Sequence, residues 1–158
     1  MIFTPIGTIL TEFTSLENMP IQPKGAKEQM GKIVIFDQFV EGLKDLEGFS
    51  HIYLFYHFHK SERTSLKVTP FMDDQLRGVF STRSPLRPTK IGLSISQIVN
   101  IEDSIITVKG IDVLNFTPLL DIKPYIPQFD AVEDIKTGWM QKSEEDVMKA
   151  KSDERFIE

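Results

Sequence analysis

Arg77, Arg83, Arg87 and Lys90 place four cations in one short segment, and no acid occurs between Asp74 and Glu102. Clustered guanidinium and ammonium groups bind anions: carboxylates, phosphates, or the charged ends of a polar cofactor. Pro85 and Pro88 fix their own φ and push Ser84 and Arg87 toward extended backbone. The segment therefore reads as a stiff loop that holds its cations in place before a ligand arrives. From spacing alone, the alternative is an arginine pair bonding carboxylates elsewhere in the fold.

Three further groupings could carry chemistry. His51, His57 and His59 are the only histidines and lie in one apolar run. As a strand, that run puts them on one face with Tyr53 and Phe55, and puts Ile52, Leu54, Tyr56 and Phe58 on the other. They read as hydrogen-bonded surface histidines or as a cofactor wall. A metal pair has neither cysteine nor a third ligand at evident spacing. Asp112, Asn115 and Thr117 offer donors and acceptors in a turn after a strand, suited to a ribose or amino acid moiety or to an ordinary Asx turn. Asp121, Lys123 and Tyr125 alternate onto one side, an acid, a cation and a phenol together. Such a set can position a substrate or accept a proton, or form a surface ion pair.

The elements that must hold these groups are mostly strands. The pattern predicts strands over 2–10, 32–40, 50–59, 91–101, 104–113 and 119–125, with Phe80 closing a short one. A hairpin turns at Glu102-Asp103. Residues 41–48 read as a glycine-bounded turn or short helical turn, and 60–77 as a mobile connector. Ser143 reads as an N-cap with acids behind it, predicting a helix over about 144–151. No strand–helix alternation supports a Rossmann sheet, and neither a phosphate-cradling loop nor a nucleophile elbow occurs. The expected fold class is mainly β: a small single-domain β-barrel with a short C-terminal helix, the barrel over 1–130 and a helical tail over 131–158.

The chain has 158 residues, no cysteine and a net charge of −5. That length suffices for a real core without disulfides or metal. Residues 75–129 hold six bases and four acids, and form the only net-basic third. A polyanion would be met there, locally, which disfavours broad coating of DNA. The start, Met1-Ile2-Phe3-Thr4-Pro5, has no basic n-region, and no apolar stretch reaches membrane-span length. The expectation is a cytoplasmic protein without a membrane partner.

Several motifs in order resemble one family. They are Leu46-Glu47-Gly48-Phe49-Ser50-His51 running into His57-Phe58-His59, Gly78-Val79-Phe80-Ser81-Thr82-Arg83-Ser84-Pro85, Arg87-Pro88, Ile91-Gly92-Leu93-Ser94 and Asp121-Ile122-Lys123-Pro124-Tyr125. Together with an early Pro-Ile-Gln they resemble the TsaA-like (VirR-type) β-barrel family over roughly residues 1–130. The resemblance implies a non-Rossmann, usually homodimeric barrel that binds S-adenosylmethionine. It also implies N6-methylation of threonylcarbamoyladenosine beside the tRNA anticodon. Carried over by motif, the cofactor contacts are Pro20, Ile21, Gln22, His59, Lys60, Arg83, Leu93, Asp112, Val113, Leu114 and Asn115. The sequence departs from the family where Arg-Pro-Asn-Pro becomes Arg87-Pro88-Thr89-Lys90 and Asp-Gly-Thr-Pro becomes Asn115-Phe116-Thr117-Pro118. The tail is also short, where many bacterial members carry a further domain.

Under that resemblance, methyl transfer is an in-line displacement in which the protein positions and desolvates the reactants. Tyr53 or Phe55 would face the sulfonium. Asp121 or Tyr125 would accept the proton, with His59 behind them. Arg77, Arg87, Lys90 and Lys123 would contact tRNA. The competing readings are an S-adenosylmethionine-binding regulatory module and a small-molecule methyltransferase. No metal enters any of them.

Overall fold

Alternation in the histidine-bearing segment sets the architecture. The computed structural model describes residues 2–15 and 27–140. Strand β3 (His51–His57) buries Ile52, Leu54 and Tyr56 and turns His51, Tyr53, Phe55 and His57 outward, as period-2 geometry requires. Strands β1 (Gly7–Leu10), β2 (Met30–Ile35), β6 (Ile91–Glu102), β7 (Ile105–Lys109) and β8 (Thr117–Pro124) join it. They close an antiparallel barrel in the order β1-β2-β7-β6-β3-β8. Closure leaves no free sheet edge. Strand β6 makes this possible: its first half pairs with β3 and its second with β7, across an irregularity between Ile98 and Asn100.

The core is aliphatic: Ile9, Ile33, Ile35, Ile52, Leu54, Ile106, Val108, Ile111 and Leu119 are buried. Each such side chain contributes roughly 1.5–3 kcal/mol by leaving water. Two 3-10 turns, Asp37–Leu43 and Leu46–Gly48, plug one end, with Phe39, Val40, Leu43 and Leu46 packed on the core. They line a cleft of about 440 Å³ with Ile6, Ile35, Asp121 and Pro124. At the other end Gly110 takes φ +81, open to glycine at no steric cost, and turns the chain inward after β7. Ile111 and Val113 thereby join the core, and Asp112 reaches the barrel mouth.

Sequence and structure differ in particular places. The strand expected over 32–40 stops at Ile35, and the chain continues in the plugging 3-10 turn. Residues 60–77 are not a bare connector: β4 (Lys67–Val68) pairs with β5 (Arg77–Gly78), and Val68, Val79 and Leu86 form a second small core. Phe80 sits in a 3-10 turn, Val79–Ser81, instead of a strand. A short helix, α1 (Pro127–Asp130), follows the barrel. The helix expected over 144–151 lies outside the described residues. Among the described residues no helix is long and apolar enough to cross a membrane.

Candidate functional site

Three side chains form a polar line at the barrel mouth. Ser94 Oγ donates to Asp112 Oδ1 at 2.6 Å and lies 3.0 Å from the Tyr56 hydroxyl. Serine has one proton, and Asp112 takes it, so the Tyr56 hydroxyl donates to Ser94. The line runs Tyr56 to Ser94 to Asp112, from the buried core toward solvent. Burial pushes the Asp112 carboxyl up to about 6, while the Ser94 hydrogen bond and the nearby Arg83 charge oppose the rise. Burial also raises the Tyr56 phenol, with the Asp112 charge adding to it. The strand chemistry behind this is a run of small inward residues on β6, Gly92, Ser94 and Ser96. A Cβ at Gly92 would collide with the Tyr56 ring, so the glycine makes room for the phenol.

The turn after Asp112 is anchored to the segment after β1. Thr11 N donates to Asn115 Oδ1 at 3.1 Å, Asn115 N to Phe13 O at 2.8 Å, and Thr11 Oγ1 to Val113 O at 2.8 Å. Thr117 Oγ1 closes the turn onto Leu114 O at 2.7 Å. His59 Nδ1 makes a long 3.5 Å contact with Thr117 Oγ1. Burial and the Lys60 charge lower the His59 imidazole below its ordinary value. The mouth therefore gathers Asp112, Asn115, Arg83 and His59, with Lys60 exposed beside His59. The Val113 side chain belongs to the core, so only its backbone is open to a ligand. Leu93 stands on the outer face of β6, across from Phe55. Pro20, Ile21 and Gln22 lie outside the described residues.

The cationic loop divides by partner. Arg77 Nε pairs with Asp73 Oδ2 at 2.6 Å and its guanidinium lies over the Trp139 ring. Arg87 donates to the carbonyls of Ser84, Val79 and Thr82, and Lys90 Nζ to those of Ser61 and Glu62. Carbonyl bonds hold these two side chains without cancelling their charge. Arg83 is exposed and, among the described residues, makes no hydrogen bond. Of the four cations only Arg77 has a carboxylate partner among the described residues, where the loop is not an arginine pair bonding acids. Arg87 and Lys90 are first of all braces of the loop.

Asp121, Lys123 and Tyr125 share the outer face, as alternation predicts. Asp121 Oδ2 and Lys123 Nζ are 2.8 Å apart, Lys123 lies over the Phe55 ring, and the Tyr125 and Tyr53 rings sit 5.7 Å apart. His59 does not stand behind them; it is at the mouth, while Asp121 lies nearer the plugged end. Asp121 lies four residue steps along β8 from Thr117, roughly 13 Å of extended chain. Sequence reasoning missed Tyr56 and Ser94, assigning the first to the core alone. The available signal was the polar residues at inward positions of β6. Among the described residues no three His, Asp or Glu groups converge as a metal site.

A small closed antiparallel barrel with a charged polar mouth defines the structural class. The comparisons with known proteins specify it. The tRNA-methyltransferase O N-terminal domain matches residues 8–131. A Pyrococcus abyssi protein, named a probable S-adenosyl-L-methionine-binding protein, is 44% identical over 155 residues, which is 98% of this chain and 84% of that one. The human tRNA (adenine(37)-N6)-methyltransferase is 35% identical over 138 residues, 83% of this chain but 31% of its own length. The crystal structure of TrmO from Pseudomonas aeruginosa superposes with a TM-score of 0.74 at 35% identity, covering 88% of this chain and 62% of that one. The chain belongs to the TrmO family, the TsaA-like barrels.

Proposed function

We propose that this protein binds S-adenosylmethionine at the barrel mouth and methylates N6 of threonylcarbamoyladenosine beside the anticodon of tRNA. The observation that carries the reading is that an acid and a cation are brought to one mouth without bonding each other. Asp112 is held by Ser94, and Arg83 stands near enough to lower the Asp112 carboxyl's proton affinity. A cofactor with a carboxylate, an ammonium and ribose hydroxyls needs a cation and an acceptor side by side, so the residues fit it. Arg83 would hold the carboxylate, Asp112 and Asn115 the ammonium or ribose hydroxyls, and His59 and Lys60 the rim. Pro20, Ile21, Gln22, Leu93, Val113 and Leu114 complete the set by family correspondence. When bound, the cofactor supplies an electrophilic methyl group; the protein positions it and excludes water.

Partner contacts follow from the loop. Arg87 and Lys90 keep uncompensated charge in a stretch without acids, suited to RNA phosphates. Phe80 is 78% exposed on the same loop, and Trp139 Nε1 donates to Ser81 O at 2.8 Å beside Arg77. Aromatic groups among cations suit unpaired bases. Asp121 or Tyr125 would accept the proton lost by the attacking nitrogen, with Lys123 holding Asp121 in place. Exposed Leu93, Ile95 and Val99 on β6 suit the face of a homodimer.

One observation favours a second reading, a cofactor-binding module without tRNA activity: Asp121 and Tyr125 do not meet the mouth within one protomer. Calorimetry with S-adenosylmethionine tests the shared step. Nucleoside mass spectrometry on tRNA from cells lacking the gene separates the two readings. Unchanged methylated threonylcarbamoyladenosine would sink the tRNA reading.

A further inference from the structure

Phe116 carries two costs at once. Its φ is +60, a region that bulky L-residues rarely occupy. Its side chain is also 68% exposed, so it gains little from burial. Local sequence does not relieve either cost, because the neighbours hold the backbone from both sides. Asn115 is fixed through N–H to Phe13 O and through Oδ1 to Thr11 N. Thr117 is buried, and its Oγ1 is fixed to Leu114 O. The turn is over-determined, and it presents an aromatic ring to solvent. Such strain, combined with exposure of a large apolar group, marks a residue kept for a ligand.

The neighbourhood says which kind of ligand. Phe116 follows Asp112 and Asn115, the acceptors of the mouth, and precedes Thr117, which contacts His59. An exposed ring beside acceptors for hydroxyl groups suits a nucleoside: the base stacks, and the sugar hydroxyls donate to the acceptors. We propose that Phe116 is the stacking wall for the purine of the nucleoside-containing cofactor held at the mouth. This rests on the cofactor reading above and adds the residue that grips its base. Glycine at this position would fit the backbone without strain, so phenylalanine trades backbone ease for ligand contact.

The test is Phe116→Gly, with Phe116→Trp as the conservative partner. Both are titrated by calorimetry with S-adenosylmethionine and, separately, with S-adenosylhomocysteine, which lacks the sulfonium charge, alongside thermal melts. Phe116→Gly should melt at or above the wild-type temperature yet bind both ligands about tenfold or more weakly. Phe116→Trp should bind both within a few-fold of wild type. A purely structural residue would instead lose stability and keep affinity. If the glycine variant binds both ligands as tightly as wild type, the stacking proposal is wrong while the cofactor reading stands. If only S-adenosylmethionine binding weakens, Phe116 faces the sulfonium and the purine assignment is wrong. If wild type binds neither ligand, the cofactor reading and the stacking proposal fall together.

Discussion

Replacing Asp112 by asparagine should make the protein more stable at neutral pH and worse at binding its ligand. The Asp112 carboxyl is raised from 3.8 to about 6 in the folded state, chiefly by burial. Between those values the folded protein holds a proton that the unfolded chain has released. Wild-type stability therefore falls as pH rises through this window, by about 1.4 kcal/mol per pH unit and about 3 kcal/mol in all. That is a large part of a typical domain stability of about 5–15 kcal/mol. An amide keeps an oxygen to accept the Ser94 proton, so Asp112→Asn removes the buried charge without breaking the line. Loss of the Arg83 attraction is already inside the raised value, since Arg83 lowers it. Urea unfolding of both proteins at pH 4, 6 and 8 reads the effect. The variant should match wild type near pH 4 and exceed it by about 2–3 kcal/mol at pH 8. A difference that does not change with pH, or a variant less stable at pH 8, would refute the buried-charge reasoning.

The other expectations concern packing and the loop. Gly92→Ala drives a methyl into the Tyr56 ring and should destabilise by about 1–3 kcal/mol in urea unfolding; a neutral effect would mean that Tyr56 can leave its seat. Arg83→Ala should abolish calorimetric binding of S-adenosylmethionine while shifting stability by no more than about 0.5 kcal/mol, because the side chain is exposed and makes no hydrogen bond among the described residues. Arg87→Ala removes the brace on three carbonyls and should cost about 2–4 kcal/mol. An Arg87 variant with wild-type unfolding behaviour would return that side chain to the role of a free phosphate contact.

Much of the barrel was legible because alternation is local. The His51–His57 pattern fixes which residues face inward, and the Glu102-Asp103 turn, with Asp103 at φ +51, is a hairpin readable from the chain. The 3-10 plug was not legible as such, because Phe39 and Val40 are as apolar as a strand and only the closed barrel leaves them an end to cover. The candidate site was half legible. Arg83, Asp112 and Asn115 carry chemistry in their side chains and stand out by type. Tyr56 and Ser94 acquire their role from pairing across β3 and β6, where Leu54 faces Ser94 and Tyr56 faces Gly92, and no sequence spacing announces that. The brace made by Arg87 was invisible for a related reason: backbone carbonyls are present everywhere and leave no mark in the sequence.

One measurement bears most directly on the proposed activity. The purified protein is incubated with S-adenosylmethionine bearing a deuterated methyl group and with tRNA from cells lacking the gene. The tRNA is then digested and its nucleosides are resolved by mass spectrometry. The deuterated methyl should appear on threonylcarbamoyladenosine and on no other nucleoside, and Arg83→Ala should abolish it. A protein that binds the cofactor in calorimetry but leaves every tRNA nucleoside unlabelled would contradict the methyltransferase reading.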